Sequence, residues 1–207
     1  IEITQLNMFL KLATSSQQLI DLSKNLRIGN VLIDDKSVDL KSFEWEKEFH
    51  QILKNEGGFN VIVGNPPWEK LKTQDREFFA IRAPEIAKVS TASKRKKRIQ
   101  ELQKTNTGLY NEYIDAKKNS EIQADYLRKS KKFPFSVIGD LNLYPIFLEL
   151  SHNLLKKDGM LGMIVQTGIL TDLSYQRFFE HLVFTSSIIA CHDFTNKRKI
   201  FKDVIEN

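Results

Sequence analysis

Cysteine is almost absent from this chain. A single residue, Cys191, stands among 207. It excludes an internal disulfide framework and a cysteine-based zinc site, and it suits a reducing, cytoplasmic setting. Histidine is nearly as scarce, and His50, His152, His181 and His192 show no metal-ligand spacing, so no metal is expected. Long apolar runs are missing too. No segment approaches the roughly 20 consecutive apolar residues that a membrane-spanning helix needs, and no membrane partner is expected. The chain starts Ile1-Glu2-Ile3 with neither an initiator methionine nor a signal peptide, which reads as a piece of a longer protein.

What remains is a soluble globular composition, 41% hydrophobic, at a length that supports one domain with a real core. The net charge of +5 is modest but unevenly placed. Residues 88–132 hold 13 Lys and Arg against 5 acidic residues, so the rest of the chain is slightly acidic. Within that stretch Lys94-Arg95-Lys96-Lys97-Arg98 opens a polar helical segment carrying Ile99, Leu102, Leu109, Tyr110 and Tyr113. Such a run reads either as a solvated helix face or as a phosphate-contacting surface.

Along the chain, Ile3, Leu6, Leu10 and Ala13 predict an amphipathic helix, with Leu19 and Leu22 in a second. A short strand containing a Gly29-Asn30 turn is expected over 27–33. Phe43, Trp45, Phe49 and Ile52 predict a packed helix between Ser42 and Leu53, stopped near Gly57-Gly58. Phe59 to Gly64 reads as a buried strand. Residues 69–132 read as a helical, basic insertion. A helix from Leu141 to Leu154, a Lys156-Lys157-Asp158-Gly159 terminator and a buried strand over 160–165 then follow. Leu173 to Val183 predicts another helix and 186–192 another strand. Helix, cationic cap, glycine, strand is the rhythm of an α/β protein with a parallel sheet.

The sharpest chemical signal lies at residues 59–68, Phe-Asn-Val-Ile-Val-Gly-Asn-Pro-Pro-Trp. Gly64 and the two prolines end the strand and put Asn65 at its carboxyl end, where open α/β sheets bind ligands. Proline fixes its own φ and disfavours a helical conformation in the residue before it, so Asn65 and Pro66 are held extended before any ligand arrives. The Asn65 carboxamide oxygen and the Pro66 carbonyl are two acceptors, and Trp68 adds an aromatic face. Together they suit a flat ring bearing an NH2 group. An exocyclic amine on such a ring is a poor nucleophile because its lone pair is delocalised, and two acceptors on its hydrogens help to localise that pair.

Asn65-Pro66-Pro67-Trp68 resembles the catalytic motif of the amino-methylating DNA methyltransferases, whose pattern is Asn or Asp, Pro, Pro, aromatic. The likeness extends over most of residues 20–205 outside the basic stretch. It includes Gly139-Asp140-Leu141-Asn142-Leu143-Tyr144, Gln166-Thr167-Gly168-Ile169-Leu170-Thr171-Asp172 and Asp193-Phe194-Thr195-Asn196-Lys197-Arg198. These stretches are similar to adenine methylases of the phage-growth-limitation (BREX) and type IIG restriction-modification groups. Gln166 departs from the proline often found at its place. The resemblance implies a Rossmann-like methyltransferase sheet, with residues 1–207 as part of the catalytic domain. It also implies S-adenosylmethionine as methyl donor, double-stranded DNA as partner, and a target base that is flipped out onto Trp68. A specificity or nuclease domain or subunit is a further possible partner. Catalysis is assigned to Asn65, Pro66, Pro67 and Trp68, and cofactor contact to Gly29, Asn30 and Asn65.

Two features of that family are missing from the sequence: the glycine-rich loop after a first strand and the acidic residue after a second. These hold the methionine end of the cofactor, so the chain alone is expected to be inactive. Thr167, Gly168 and Asp172 are candidates for lining the cleft, with Asp172 also readable as a helix N-cap, and Lys197, Arg198 and Lys199 for DNA backbone contact. Two other readings stay open. Protein-glutamine N5 methyltransferases share an Asn-Pro-Pro-aromatic turn, and a catalytically inactive DNA-binding fragment is the non-enzymatic alternative.

Overall fold

The computed structural model describes residues 2–12, 25–185 and 187–194. Helix α1 (Glu2–Leu12) is followed by a short helix α2 (Trp45–Glu48), a π-helical turn (Gln51–Asn55) and strand β1 (Phe59–Gly64). Four helices come next: α3 (Asp75–Arg82), α4 (Pro84–Ala87), α5 (Ala92–Thr105) and α6 (Thr107–Ser130). Helix α7 (Leu143–Leu154) runs directly into strand β2 (Leu155–Met163), and α8 (Gly168–Thr171), a 3-10 turn (Leu173–Tyr175) and α9 (Gln176–Phe184) complete the order. Among the described residues no helix is long and apolar enough to cross a membrane.

β1 and β2 pair in parallel, with Val61 opposite Met160, Ile62 opposite Leu161, Val63 opposite Gly162 and Gly64 opposite Met163. Parallel pairing needs a long crossover, and α3 to α7 supply it. The mixed α/β character is as expected, but among the described residues the sheet has two strands, not four. Residues 27–33 do not form a strand. Asn30 makes only an isolated bridge to Ser42, and its own side chain closes the turn, accepting from Leu32 N at 3.3 Å and donating to Asp39 at 2.9 Å. A side chain that satisfies the local backbone in this way competes with a sheet ladder. Residues 187–192, the described part of the last expected strand, are likewise irregular and exposed, with no neighbouring strand to pair them.

The second strand also begins earlier than 160. Leu155 already pairs with Phe59, and Lys156 to Gly159 bulge outward before pairing resumes at Met160, with Asp158 at φ 66°. The Lys-Lys-Asp-Gly segment is therefore a bulge in β2, not a helix terminator. Gly58 faces this bulge at φ 127°, and a Cβ there would lie 2.5 Å from Lys156 N and 2.7 Å from Leu154 O. Both neighbours are backbone atoms that cannot swing away. Gly58→Ala is expected to lower the melting temperature by about 4–8 °C, corresponding to roughly 2 kcal/mol of strain and clash. Thermal denaturation checks it, and an unchanged melting point would contradict this packing.

β1 is less buried than its composition predicts. Val61 and Val63 are 59% and 80% exposed, because one sheet face is uncovered among the described residues.

Three apolar clusters hold the rest. Leu32, Ile33, Ala124, Leu127, Phe133, Leu141, Ile146 and Leu150 join the 30–43 segment, the second half of α6 and α7. Phe79, Ala83, Ile86, Ile99, Leu102 and Tyr113 unite α3 to α6. The third, Tyr144, Ile169, Tyr175 and Phe178, sits beside Trp68. Each fully buried side chain of this size contributes about 1.5–3 kcal/mol. The expected aromatic packing is present: Phe43, Trp45, Phe49 and Phe59 form a chain of ring contacts, and the Trp45 indole donates to Val31 O at 3.0 Å.

Candidate active site

The Asn-Pro-Pro-Trp turn leaves the sheet at the carboxyl end of β1, next to the carboxyl end of β2. The ladder extends one bond past the strands, with Ile164 N donating to Gly64 O at 3.0 Å. The Trp68 indole then donates to Ile164 O at 3.4 Å. Ile164 thus ties both ends of the turn to β2. Asn65 and Pro67 are exposed, Pro66 is buried and Trp68 is half-buried against the third cluster. Among the described residues, neither the Asn65 carboxamide nor the Pro66 carbonyl has an internal hydrogen-bond partner. Both acceptors are unpaired among these residues, on a backbone that the two prolines and Ile164 hold in place.

The chain after Trp68 is fixed just as firmly. Leu143 N donates to Glu69 O at 3.0 Å and Leu71 N to Leu141 O at 2.8 Å, around a bridge between Lys70 and Asn142. Lys70 and Lys72 both reach Asp140, at 2.9 and 3.2 Å, and hold its carboxyl below the usual range. Asn142 donates to the Tyr175 hydroxyl at 3.1 Å. The segment 139–144 therefore braces the motif from behind. At the neighbouring loop, a Cβ on Gly168 would stand 2.9 Å from the Tyr144 hydroxyl, so the glycine permits close approach. Burial pushes the Tyr144 phenol up to about 12, keeping it neutral. Asp172 caps the 3-10 turn through Ser174 N at 2.8 Å, and that bond lowers its pKa. Lys197, Arg198 and Lys199 lie outside the described residues.

A cavity of about 180 Å3 joins the two groups of expected site residues. Asn30, Leu32, Ile33, Pro67, Leu71, Gln123, Leu127, Leu143 and Phe147 line it. Its walls are apolar, with two carboxamides at the edge. Asn30 and Gln123 both donate to Asp39, which fixes their orientation. The backbone of Gly29 is closely packed, since a Cβ there would lie 2.7 Å from the Phe43 ring. Asn65 does not line this cavity. Among the described residues no cluster of His, Cys, Asp and Glu is arranged to hold a metal ion.

Sequence reading did not find Glu149, the buried carboxylate of α7. It accepts from Phe135 N at 3.3 Å, Ser136 N at 2.9 Å and the Ser136 hydroxyl at 2.5 Å. The signal was a lone carboxylate on an otherwise apolar helix. Glu149 pins the loop that presents Phe135 to Phe178 and His181, next to Trp68. Burial raises its pKa, outweighing the donors and the nearby His181. Its folded pKa lies above its unfolded value, so its contribution to stability is full below about pH 4.5 and lost as pH rises through the folded pKa. The stability advantage of the wild type over Glu149→Gln is therefore expected to shrink as pH rises through that window. Melting temperatures of the two proteins at matched pH values check this, and a constant difference would contradict it.

The amide-Pro-Pro-aromatic turn thus stands at the carboxyl end of a parallel strand pair. The family model described as Eco57I restriction-modification methylase matches residues 1–112 and 111–201, and the chain belongs to that family. It is a methyltransferase of the restriction-modification class. No curated protein and no solved structure matches the chain.

Proposed function

We propose that this chain carries the target-base half of an S-adenosylmethionine-dependent DNA adenine-N6 methyltransferase from a restriction or phage-defence system. It would form part of a Rossmann-like catalytic domain, with 69–132 inserted as a helical unit. One observation carries the reading: among the described residues the Asn65 carboxamide and Pro66 carbonyl have no internal partner, on a turn fixed at the carboxyl end of parallel strands.

In this reading the flipped adenine stacks on Trp68, and its N6 hydrogens are accepted by Asn65 and Pro66. Both acceptors draw the amine's hydrogens out of the ring plane, so the lone pair leaves conjugation with the ring and localises on N6. Pro67 and the braced 139–144 segment keep the acceptors in place, which avoids reorganisation during reaction. The bound cofactor supplies an electrophilic methyl group. The described residues fit one end of S-adenosylmethionine. The cavity between Asn30 and Pro67 is lined mostly by apolar side chains, with the carboxamides of Asn30 and Gln123 held by Asp39, a lining that would suit an adenine ring. At about 180 Å3 it is below the roughly 300 Å3 of pockets that enclose a whole drug-sized ligand.

Labelled methyl transfer to duplex DNA, RNA and protein by the full-length protein carrying this sequence tests the proposal. Incorporation into DNA is the expected result. Label found only on protein glutamine would move the same turn to a different substrate class and overturn the DNA reading.

A further inference from the structure

Three of the cations of α5, Lys94, Lys96 and Lys97, have no carboxylate partner among the described residues. Arg95 is the one that points inward: it is buried, donates to Val89 O at 3.0 Å and lies 3.8 Å from the Asp75 carboxylate. Ile99 and Leu102 extend the same buried face. With 95, 99 and 102 turned inward, Lys94, Lys96 and Lys97 are exposed, and none has a carboxylate partner among the described residues. Arg98 is paired with Glu101 at 3.2 Å within the helix.

This arrangement breaks two local rules. The first turn of α5 has no acidic residue, so the lysines crowd the end of the helix where the dipole already disfavours positive charge. Lys94 also stands three and four residues before Lys97 and Arg98, and each such like-charge pair costs an isolated helix about 0.2–0.5 kcal/mol. Nothing described in the chain offsets these costs. An external polyanion would, and local rules broken without internal compensation mark functional surfaces.

Helix α6 sets the distance of this surface from the motif. Asp75 accepts from the Tyr113 hydroxyl at 2.7 Å and also faces Arg95, which puts the cationic end of α5 level with Tyr113. Farther along α6, Gln123 and Leu127 line the cavity beside Pro67. From Tyr113 to Gln123 the helix rises about 15 Å at 1.5 Å per residue. That span corresponds to roughly four or five base pairs of duplex. Both ends of α6 are packed, Tyr113 in the second cluster and Leu127 in the first, so the strut is rigid.

We propose that Lys94, Lys96 and Lys97 contact the phosphate backbone of duplex DNA, at a level about 15 Å along α6 from the cavity beside Pro67. This inference rests on the DNA reading above and adds a second, sequence-independent contact to it. The contact supplies affinity and salt dependence and has no part in the chemistry.

The test is fluorescence anisotropy of a labelled duplex titrated with the full-length protein carrying this sequence, repeated across salt concentrations. Wild type is compared with the triple variant Lys94→Gln/Lys96→Gln/Lys97→Gln and with Lys→Arg at the same three positions. Loss of three phosphate contacts reduces the slope of log K against log salt by about 2.7 and weakens binding about 100-fold at 150 mM salt. The arginine variant keeps the wild-type slope and melting temperature, and the Gln variant melts no lower than wild type, because the side chains are exposed and their like-charge and dipole costs are removed. A Gln variant with wild-type slope and affinity, in a protein that binds duplex, overturns this inference and leaves the DNA reading standing. A wild type with no affinity for duplex overturns both.

Discussion

Asn65→Ala is expected to lower kcat by about 10²–10³-fold while leaving the melting temperature within about 1 °C. The size follows from removing one preorganised polar group at the reacting centre, which typically costs roughly 3–4 kcal/mol of barrier. Stability is spared because the side chain is exposed and makes no internal hydrogen bond among the described residues. KM for DNA changes little, since stacking and phosphate contacts that bind the ground state are untouched. Steady-state methyl transfer together with thermal denaturation checks both halves. Turnover unchanged from wild type would show that the acceptor role belongs elsewhere.

The second large effect is on folding. Phe178 is fully buried, stacks on Phe135 at 5.8 Å between ring centroids, and stands at the centre of the cluster on which Trp68 rests. Phe178→Ala removes that contact and leaves a cavity, at a cost of about 3–5 kcal/mol. In a domain of this size such a loss lowers the melting temperature by roughly 6–20 °C. Trp68 also loses its backing, so indole fluorescence shifts toward the red at temperatures where the variant is still folded. Chemical denaturation with fluorescence detection reads both changes. A loss under about 1 kcal/mol would show that the third cluster does not support the turn.

The features legible in the sequence are those fixed by short-range chemistry. An apolar run cut by Gly64, Asn65 and two prolines has few conformations available, and β1 with its turn is where that pattern places it. Helix α7 follows from the spacing of Phe147, Leu150, Ser151 and Leu154. The aromatic cluster around Trp45 follows from Phe43 and Phe49 at neighbouring positions. What escaped depends on partners distant in sequence. A strand needs a neighbour, and 27–33 has instead the Asn30–Asp39 bond that folds it into a turn. The bulge at 156–159 exists because Leu155 pairs with Phe59, 96 positions away, before the helix residues are fully left behind. Val61 and Val63 read as buried by composition, yet their exposure is decided by what covers the sheet.

The same division holds at the site. The position of the turn Asn65-Pro66-Pro67-Trp68 at the end of β1 was legible because the strand-ending effect of glycine and proline is local. The cavity that brings Asn30 near Pro67 was not, since Gln123, Leu127 and Phe147 come from two helices whose packing no local pattern specifies. The role of Glu149 was not legible for the same reason: the lone carboxylate marks the position, but its partners Phe135 and Ser136 lie on a loop that has no signature of its own.

The central claim is that the Asn-Pro-Pro-Trp turn methylates the amine of adenine in DNA. Nucleoside analysis by mass spectrometry, on duplex DNA incubated with the full-length protein carrying this sequence and S-adenosylmethionine, tests it most directly. The account predicts N6-methyladenine as the only methylated nucleoside formed, and its loss with Asn65→Ala. Methylated cytosine as the product, or N6-methyladenine formed equally well by the Asn65→Ala protein, would contradict it.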